Sequence, residues 1–371
     1  MHLGEFWLIE MSKDQLCHHK KNKMDNLIDV NRVGQSKQAW GHSSHYYAFK
    51  QEAVHAQGRQ PGEQDASAWE KRLQASSPGI REAVDRAYKQ WNTILRDYLR
   101  NETALRLTVG GDMQAVPVRV VGGMPRPFAA VMDKLKGLEW LLLNRQALVA
   151  AASGTRFMAE QADTVRQIWR DKAGPSSKEE IIRVQQTAEG WLRELDNAKA
   201  VEQIAGINED VLGAYFFNIP EIRLYWVVIG ITAVALGVSA EALTIVVLAH
   251  ELAHAYTHLG RDIDNQRWET PFFAATDLGI VEGLAQFYTG VLCRRLEQRM
   301  PMANVAYEAL LNKQSGAYRA HLQWAKNEDQ AGEIVRISMI ECRSQGIMET
   351  NGFTAAIDKY RQGIRGRKPN R

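Results

Sequence analysis

The chain has 371 residues, 45% of them hydrophobic and 24% charged, which is the composition of an ordinary globular protein. That composition argues against wholesale disorder, a collagen-like repeat and a polytopic membrane protein. The 46 Lys and Arg residues against 43 Asp and Glu give a net charge of +3, too small to indicate nucleic-acid binding, so no nucleic-acid partner is expected.

Residues 1–75 are predicted to be weakly structured, because they are polar and include the loop-like segment GRQPGEQDAS at 58–67. Glu5 and Glu10 interrupt the apolar segment that a signal peptide would need. The cysteines, Cys17, Cys293 and Cys342, are odd in number and far apart, which favours a reducing compartment. A cytoplasmic location is therefore expected.

A helical domain containing one β-hairpin is predicted for residues 76–200. Residues 78–100 have a helical apolar period, and the alternating segments 105–109 and 116–121 flank Gly110-Gly111-Asp112, which predicts a hairpin over about 104–121. Helical patterns follow at about 128–150, 156–172 and 178–199. Ser177 and Glu180 have the spacing of a capping box at the start of the last one.

Residues 201–350 are predicted to form a further domain of short strands and apolar helices. The segments GAYFF (213–217) and EIRLYW (221–226) read as strands, and VVIGITAVALGV reads as a short buried helix. Ser239 is the expected N-cap of a helix from Ala240 to about Leu259. Another helix is expected from Thr270 to Arg299, and residues 351–371 are expected to be a basic tail.

The uncharged run from Leu224 to Ala240 raises the question of a membrane span. A spanning helix needs about 20 apolar residues, and this run is shorter and contains Gly230 and Gly237. A buried segment of a soluble protein is favoured. Membrane association is disfavoured, and a membrane-embedded protease using residues 224–248 remains the alternative.

The chemistry is expected in the capped helix, which contains the H-E-x-x-H pattern His250-Glu251-Leu252-Ala253-His254. Four residues advance a helix by slightly more than one turn, so His250 and His254 project from one face and can bind one Zn²⁺. Glu251 lies on the same side and could take a proton from the zinc-bound water as general base.

A catalytic zinc usually has three protein ligands. His258 continues the helical stripe but lies about 12 Å along the axis from His250, too far to share the ion. Glu282, in the apolar segment GIVEGLAQFYTGVL, is the better candidate because a buried carboxylate needs a partner. An ion pair with an arginine is the alternative. Gln286, one turn further, could hydrogen-bond a ligand imidazole.

HELAH (250–254) followed by VEGLAQF (281–287) resembles the gluzincins, the zinc metallopeptidase clan typified by thermolysin. The resemblance covers about 215–345 and implies that His250, His254 and Glu282 are ligands and that Glu251 is the catalytic base. Gln286 stands where thermolysin has an aspartate that supports a ligand histidine, which is a departure from the pattern.

Gluzincins present their substrate to an edge strand before the H-E-x-x-H helix. The corresponding segment here is IRLYW, residues Ile222, Arg223, Leu224, Tyr225 and Trp226, with an ordinary packed strand as the alternative. Tyr307, Tyr318 and His321 follow the second helix, and one of them could stabilise the oxyanion. Tyr318 is favoured, with His321 as alternate.

The sequence thus predicts an α+β, mainly helical protein with a zincin-like catalytic domain, one Zn²⁺ per chain, and peptides or proteins as substrates. The expected reaction is hydrolysis of a peptide bond by the Glu-activated, zinc-bound water. A non-catalytic zincin-fold module for binding or sensing is the rival from another class. The sequence does not indicate the oligomeric state.

Overall fold

A computed structural model describes residues 63–64, 66–107, 116–160, 178–207, 211–314, 316–324 and 330–365. The strands are β1 (Glu63–Gln64), β2 (Val118–Val121), β3 (Met124–Pro125), β4 (Gly213–Phe216) and β5 (Glu221–Tyr225). The first α-helices are α1 (Ser67–Ser76), α2 (Ile80–Thr103), α3 (Arg126–Lys134), α4 (Glu139–Leu143), α5 (Arg145–Glu160), α6 (Lys178–Asn197) and α7 (Ala200–Ala205). The others are α8 (Trp226–Leu236), α9 (Ala240–Leu259), α10 (Thr270–Ala275), α11 (Leu278–Arg295), α12 (Pro301–Leu311), α13 (Ala331–Gln345) and α14 (Thr350–Arg365), with the 3-10 helix η1 (Gly316–Gln323) after α12.

The protein is mainly helical and has a small mixed sheet, so the predicted α+β class is confirmed at that level. The sheet has the order β2-β5-β4, in which β5 runs parallel to β2 and antiparallel to β4. The two predicted strands at 213–217 and 221–226 form the β4–β5 hairpin. β1 and β3 form a separate antiparallel pair.

The prediction that residues 222–226 form the substrate-binding edge strand is wrong. Ile222, Arg223, Leu224 and Tyr225 belong to β5, which is hydrogen-bonded on both sides and is the central strand. Trp226 is the first residue of α8. Because the neighbouring strands use the main-chain groups of β5, a peptide cannot add to it. Among the described strands, β4 is an edge strand of this sheet, and its first residue lies against Glu251.

The predicted hairpin over 104–121 is also wrong, because its two arms pair elsewhere. Arg106 forms a bridge with Arg261, and β2 pairs with β5 instead of with the segment before it. Residues 108–115, which would have formed the turn, lie outside the described part. The alternating pattern of apolar residues thus predicted strand β2 correctly but not the strand with which it pairs.

Helix α8 is buried over nearly its whole length, as predicted for the apolar run. Gly230 allows α1 to approach closely, since a Cβ there would be 2.6 Å from the Leu73 side chain. The helix has 11 residues, about 16 Å at 1.5 Å per residue. None of the described helices is long and apolar enough to cross a membrane.

Helix α9 begins and ends where the sequence predicted and lies at the centre of the fold. The Ser239 hydroxyl accepts a 3.0 Å hydrogen bond from the Ala242 amide, which satisfies one of the amides left open at the helix start. From Ala242 to His258 every residue is buried. Helix α2 packs along α9, and the Tyr256 hydroxyl donates to the Arg96 carbonyl at 2.9 Å.

The single helix predicted from Thr270 to Arg299 is two helices, α10 and α11, which are interrupted at Thr276 and Asp277. The Asp277 carboxylate accepts hydrogen bonds from the Thr350 amide and hydroxyl at 2.8 and 3.0 Å, which joins the start of α11 to the start of α14. Helix α11 therefore takes its own direction towards α9.

The described residues from Glu63 onward belong to one compact unit, so the predicted boundary near residue 200 lies inside that unit.

The predicted tail at 351–371 is wrong for its first part: α14 is helical and buries Phe353, Ala356 and Ile357. Residues 366–371 lie outside the described part. Residues 1–75 were predicted to be weakly structured, but the end of that segment forms helix α1. Residues 1–62 lie outside the described part.

Candidate metal centre

Three side-chain atoms converge between α9 and α11. The distances are 3.1 Å between His250 Nε2 and His254 Nε2, 3.2 Å between His250 Nε2 and Glu282 Oε2, and 3.3 Å between His254 Nε2 and Glu282 Oε2. Ligands of a tetrahedral zinc, each about 2.0–2.1 Å from the ion, are separated by about 3.3–3.4 Å. The three atoms thus form one nearly equilateral face with edges close to those of a zinc tetrahedron.

The helices explain this convergence. His250 and His254 are one turn apart on α9, and α11 crosses that turn so that Glu282 lies between their imidazole rings. All three residues are buried. A buried carboxylate and two imidazoles are costly to desolvate, and a divalent cation would offset that cost. The group can hold a metal ion.

Small residues let α11 fit closely among its neighbours. A Cβ at Gly283 would lie 2.4 Å from the Trp324 ring, and one at Gly290 would lie 2.8 Å from the Tyr307 hydroxyl. The glycines in GIVEGLAQFYTGVL therefore have a packing role, because larger residues would push α11 away from Tyr307 and Trp324. They set the depth at which Glu282 is held.

Glu251 is buried to 1% exposure beside His250, His254 and Glu282, here called the ligand group, and lines a small cavity of about 40 Å³ together with His250. The backbone of β4 passes directly over it at Gly213. The other lining residues come from α7 and the segment after it, β4, α8, α9, α11, α12 and η1: Ile204, Ala205, Ile207, Val211, Leu212, Gly213, Thr232, Val246, Val247, Gln286, Leu310, Gln314 and Tyr318. The arrangement places a carboxylate and a ligand histidine on the same wall of a mainly apolar cavity.

The structure separates the two residues predicted as oxyanion donors. Tyr318 lines the cavity, and its ring stacks on that of His250 with centroids 6.0 Å apart. His321 is not among the lining residues. Its Nδ1 lies 3.1 Å from the Tyr318 carbonyl oxygen, and its Nε2 lies 3.1 Å from the Tyr307 hydroxyl. His321 is therefore placed to hold Tyr318 rather than to face the cavity.

The protonation of His321 follows from its surroundings. Burial lowers its pKa to about 4, so the ring is neutral near pH 7. Since the Tyr318 carbonyl can only accept, Nδ1 donates to it, and Nε2 is left as an acceptor that shares the Tyr307 hydroxyl proton with the Gln286 carbonyl, which lies 3.2 Å from that hydroxyl. This tautomer links α12 to η1 beneath Tyr318.

The predicted role of Gln286 is wrong. Its side-chain Nε2 donates to Gln314 Oε1 at 3.1 Å instead of contacting a ligand imidazole. Both amides line the cavity, one from α11 and one from the segment after α12. Because the partner is 28 residues away along the chain, the helical spacing of Gln286 from Glu282 could not reveal it.

His258 does not belong to the ligand group, as the distance along α9 predicted. It is fully buried, with Nδ1 2.9 Å from the Tyr215 hydroxyl, Nε2 3.1 Å from the Thr270 hydroxyl, and its ring stacked on Phe273 at 4.3 Å. Burial lowers its pKa to about 3, helped by the charges of Arg267 and Arg343. His258 is thus a neutral residue that joins β4, α9 and α10.

Sequence reasoning missed Gly213, Gln314 and Thr232 as residues of this site. Gly213 was read only as the first residue of a strand, and Thr232 only as part of a buried apolar helix. No local signal distinguishes them, because their importance comes from what α9 and α12 bring next to them.

Comparisons of the chain with protein-family models, with curated proteins and with solved structures find no match. The resemblance to gluzincins therefore stays a prediction from the sequence motif.

Proposed function

We propose that this protein is a zinc metallopeptidase with a zincin-like catalytic domain, which hydrolyses peptide bonds in peptide or protein substrates. The observation that carries the proposal is the face formed by His250 Nε2, His254 Nε2 and Glu282 Oε2, with Glu251 on the adjoining cavity wall. Structural metal sites are usually closed by four protein ligands, whereas a three-ligand set beside a cavity leaves a position for water or substrate.

Zinc is the metal that this donor set suits best. Two imidazole nitrogens and one carboxylate oxygen, about 3.3–3.4 Å apart, are typical of catalytic zinc sites. Sites for magnesium or calcium use mainly oxygen donors and more of them. The proposal therefore assigns one Zn²⁺ per chain, held by His250, His254 and Glu282.

Glu251 and Tyr318 have separate proposed roles in hydrolysis. When bound, zinc lowers the pKa of water and polarises a carbonyl oxygen. Glu251 takes a proton from the attacking water and passes it to the amine that leaves, a role that its burial beside the ligand group supports. Tyr318, which lines the cavity and stacks on His250, is the proposed donor of a hydrogen bond to the carbonyl oxygen as negative charge develops.

Strand β4 is the proposed docking edge for the substrate backbone, in place of residues 222–226. β4 is at the end of the strand order, and Val211, Leu212 and Gly213 line the cavity next to Glu251. An extended peptide that adds to β4 by main-chain hydrogen bonds would lie along this wall. This pairing would carry its scissile bond past Glu251.

The proposed setting is a reducing compartment, in agreement with a cytoplasmic location. Cys293 and Cys342 are buried free thiols in the described part of the chain, and burial raises the pKa of each thiol to about 12. Such thiols are typical of proteins that do not depend on disulfides.

The test is metal analysis of the full-length protein combined with cleavage of a peptide library read by mass spectrometry. We expect one zinc per chain, cleavage that a chelator abolishes, and recovery on adding zinc. A protein that binds zinc stoichiometrically but leaves both the library and unfolded protein substrates intact would instead be a non-catalytic binding or sensing module.

A further inference from the structure

Thr232 has a buried hydroxyl that its surroundings leave without a bond. It lies in the middle of α8, its side chain is 1% exposed, and Oγ1 has no hydrogen-bond partner among the described residues. A buried hydroxyl that makes no hydrogen bond costs roughly 1–3 kcal/mol. Such a group calls for an explanation, and a ligand is one.

Other helical threonines of this protein behave differently. Six of them donate to the carbonyl four residues earlier, at 2.6–2.9 Å: Thr103, Thr187, Thr244, Thr257, Thr289 and Thr354. This local bond is the usual outcome for a threonine inside a helix. No such bond from Thr232 to Val228 is present in the described part of the structure.

Thr232 lies on the wall of the candidate active-site cavity. It lines the same cavity as His250 and Glu251, next to Val246 and Val247. Those two valines precede His250 and Glu251 by four residues, which is about one helical turn, or 5.4 Å. Thr232 therefore lines the same cavity as residues that lie one helical turn before the proposed base.

The cavity around Thr232 is mainly apolar. Among the described residues that line it, Glu251 is the only Asp, Glu, Lys or Arg, and most of the others are apolar. An acidic substrate side chain would therefore be buried without a cation of this chain to pair with it, which is strongly unfavourable, and a basic one would pair with Glu251, the proposed base. The remaining neutral polar groups of the wall are Thr232, the Gln286–Gln314 amide pair and Tyr318.

We propose that Thr232 determines specificity by hydrogen-bonding a neutral polar group of the substrate side chain that enters this cavity next to the scissile bond. The preferred residues are those with a hydroxyl or amide, namely Thr, Ser, Asn and Gln, over apolar residues of equal size. The inference rests on the proposed peptidase function and adds a substrate class to it.

The test pairs two substitutions of equal shape. Thr232→Val in the enzyme removes the hydroxyl and keeps the volume, and a single Thr or Val moved through an alanine-rich hexapeptide does the same in the substrate. With the wild type we expect kcat/KM to favour Thr over Val by about 10-fold at one position, the factor that one buried neutral hydrogen bond is worth. Thr232→Val should abolish or reverse that preference, and Thr232→Ser should keep it.

Thr289→Val is the matched control. Thr289 is fully buried in α11, donates to Ala285, and is not among the cavity residues, so its loss should leave the Thr-to-Val ratio unchanged. Equal ratios in wild type and Thr232→Val at every position would overturn the inference.

A binding measurement separates this inference from the proposed function. The same peptides are titrated by calorimetry into the zinc-loaded Glu251→Gln variant and into the Glu251→Gln, Thr232→Val double variant. If no peptide is cleaved but Thr peptides still bind about 10-fold more tightly than Val peptides through Thr232, the cavity assignment holds and the peptidase proposal fails. If peptides are cleaved but show no preference that depends on Thr232, the peptidase proposal holds and the cavity assignment fails.

Discussion

Gly213 lies against Glu251 with no room for a side chain: a Cβ at position 213 would be 2.9 Å from Glu251 Cγ and 2.7 Å from Val247 Cγ1. The first residue of β4 therefore fixes where the Glu251 carboxylate can be. A glycine is required here by close approach alone. The strand that is the proposed docking edge for substrate thus also positions the proposed base.

Gly213→Ala should consequently displace Glu251 while leaving the ligand group in place. We expect turnover to fall about 10²-fold, since a shift of about 1 Å in a catalytic group has effects of that size. Zinc content should stay near one per chain. Gly154→Ala is the control, because a Cβ there meets nothing within 4 Å. Full activity in Gly213→Ala would show that Glu251 tolerates displacement and is not the base.

Glu251→Gln should separate metal binding from catalysis. The substitution keeps the size of the side chain and removes its ability to take a proton, so we expect near-stoichiometric zinc and a loss of hydrolysis by several orders of magnitude. His250→Ala and His254→Ala should lose both properties. Zinc content by mass spectrometry, together with peptide cleavage, checks all three variants. Zinc loss in Glu251→Gln would contradict the assigned roles.

Glu282→Ala and His258→Ala should have opposite signatures. Glu282→Ala removes one of three ligand atoms and should lower zinc affinity severely, which competition with a chelator would measure. His258→Ala should keep zinc but lower the free energy of unfolding, because it leaves the Tyr215 and Thr270 hydroxyls without their partner at roughly 1–3 kcal/mol for each group. If His258→Ala loses zinc and Glu282→Ala keeps it, the ligand set is wrong.

Acid should destabilise the folded protein through His258. Its pKa is lowered to about 3 in the fold, against a usual value of 6.5 in the unfolded chain, so below pH 6.5 the unfolded state takes up a proton that the folded state refuses. The stability contribution of the neutral ring is complete above about pH 6.5 and declines as the pH falls towards 3. Urea unfolding of metal-free protein at pH 7 and pH 5 would measure the change.

His258→Gln is the comparison for that measurement, because it removes the titrating group and keeps a polar side chain. The variant should be less stable than wild type at pH 7 and should lose less stability between pH 7 and pH 5. Identical pH dependence in the two proteins would mean that His258 is not the group responsible.

Tyr318→Phe should lower turnover by roughly 10²–10³-fold with little change in zinc content or substrate binding, because it removes one donor to the developing oxyanion. Tyr307→Phe is the matched control: its hydroxyl contacts the Gln286 carbonyl and His321 and does not line the cavity. It should lower stability and leave turnover within a few-fold. An unchanged turnover number in Tyr318→Phe would remove Tyr318 from the mechanism.

The parts of the site that the sequence predicted correctly depend on short-range patterns. The Ser239 cap, the extent of α9 and the shared face of His250 and His254 all follow from positions within one helix. Glu282 was inferred from the cost of burying a lone carboxylate, and the structure places it between the two imidazoles.

The wrong predictions concern pairings between distant segments. β5 is central only because β2, about a hundred residues earlier, pairs with it, and a strand pattern does not reveal its partner. Gln286 likewise faces Gln314 because α12 returns over α11. The helix predicted through Thr276 and Asp277 fails because the Asp277 carboxylate bonds to α14.

The parallel pairing of β2 with β5 limits which fragments of the chain could fold with the proposed metal site intact. The strand that completes the sheet, and the helix α2 that covers α9, both come from the first half of the chain. A gene fragment beginning near residue 200 would encode all the proposed ligands yet expose one face of α9 and one edge of β5. The proposed metal site therefore depends on both halves of the chain and would not be transferred by the second half alone.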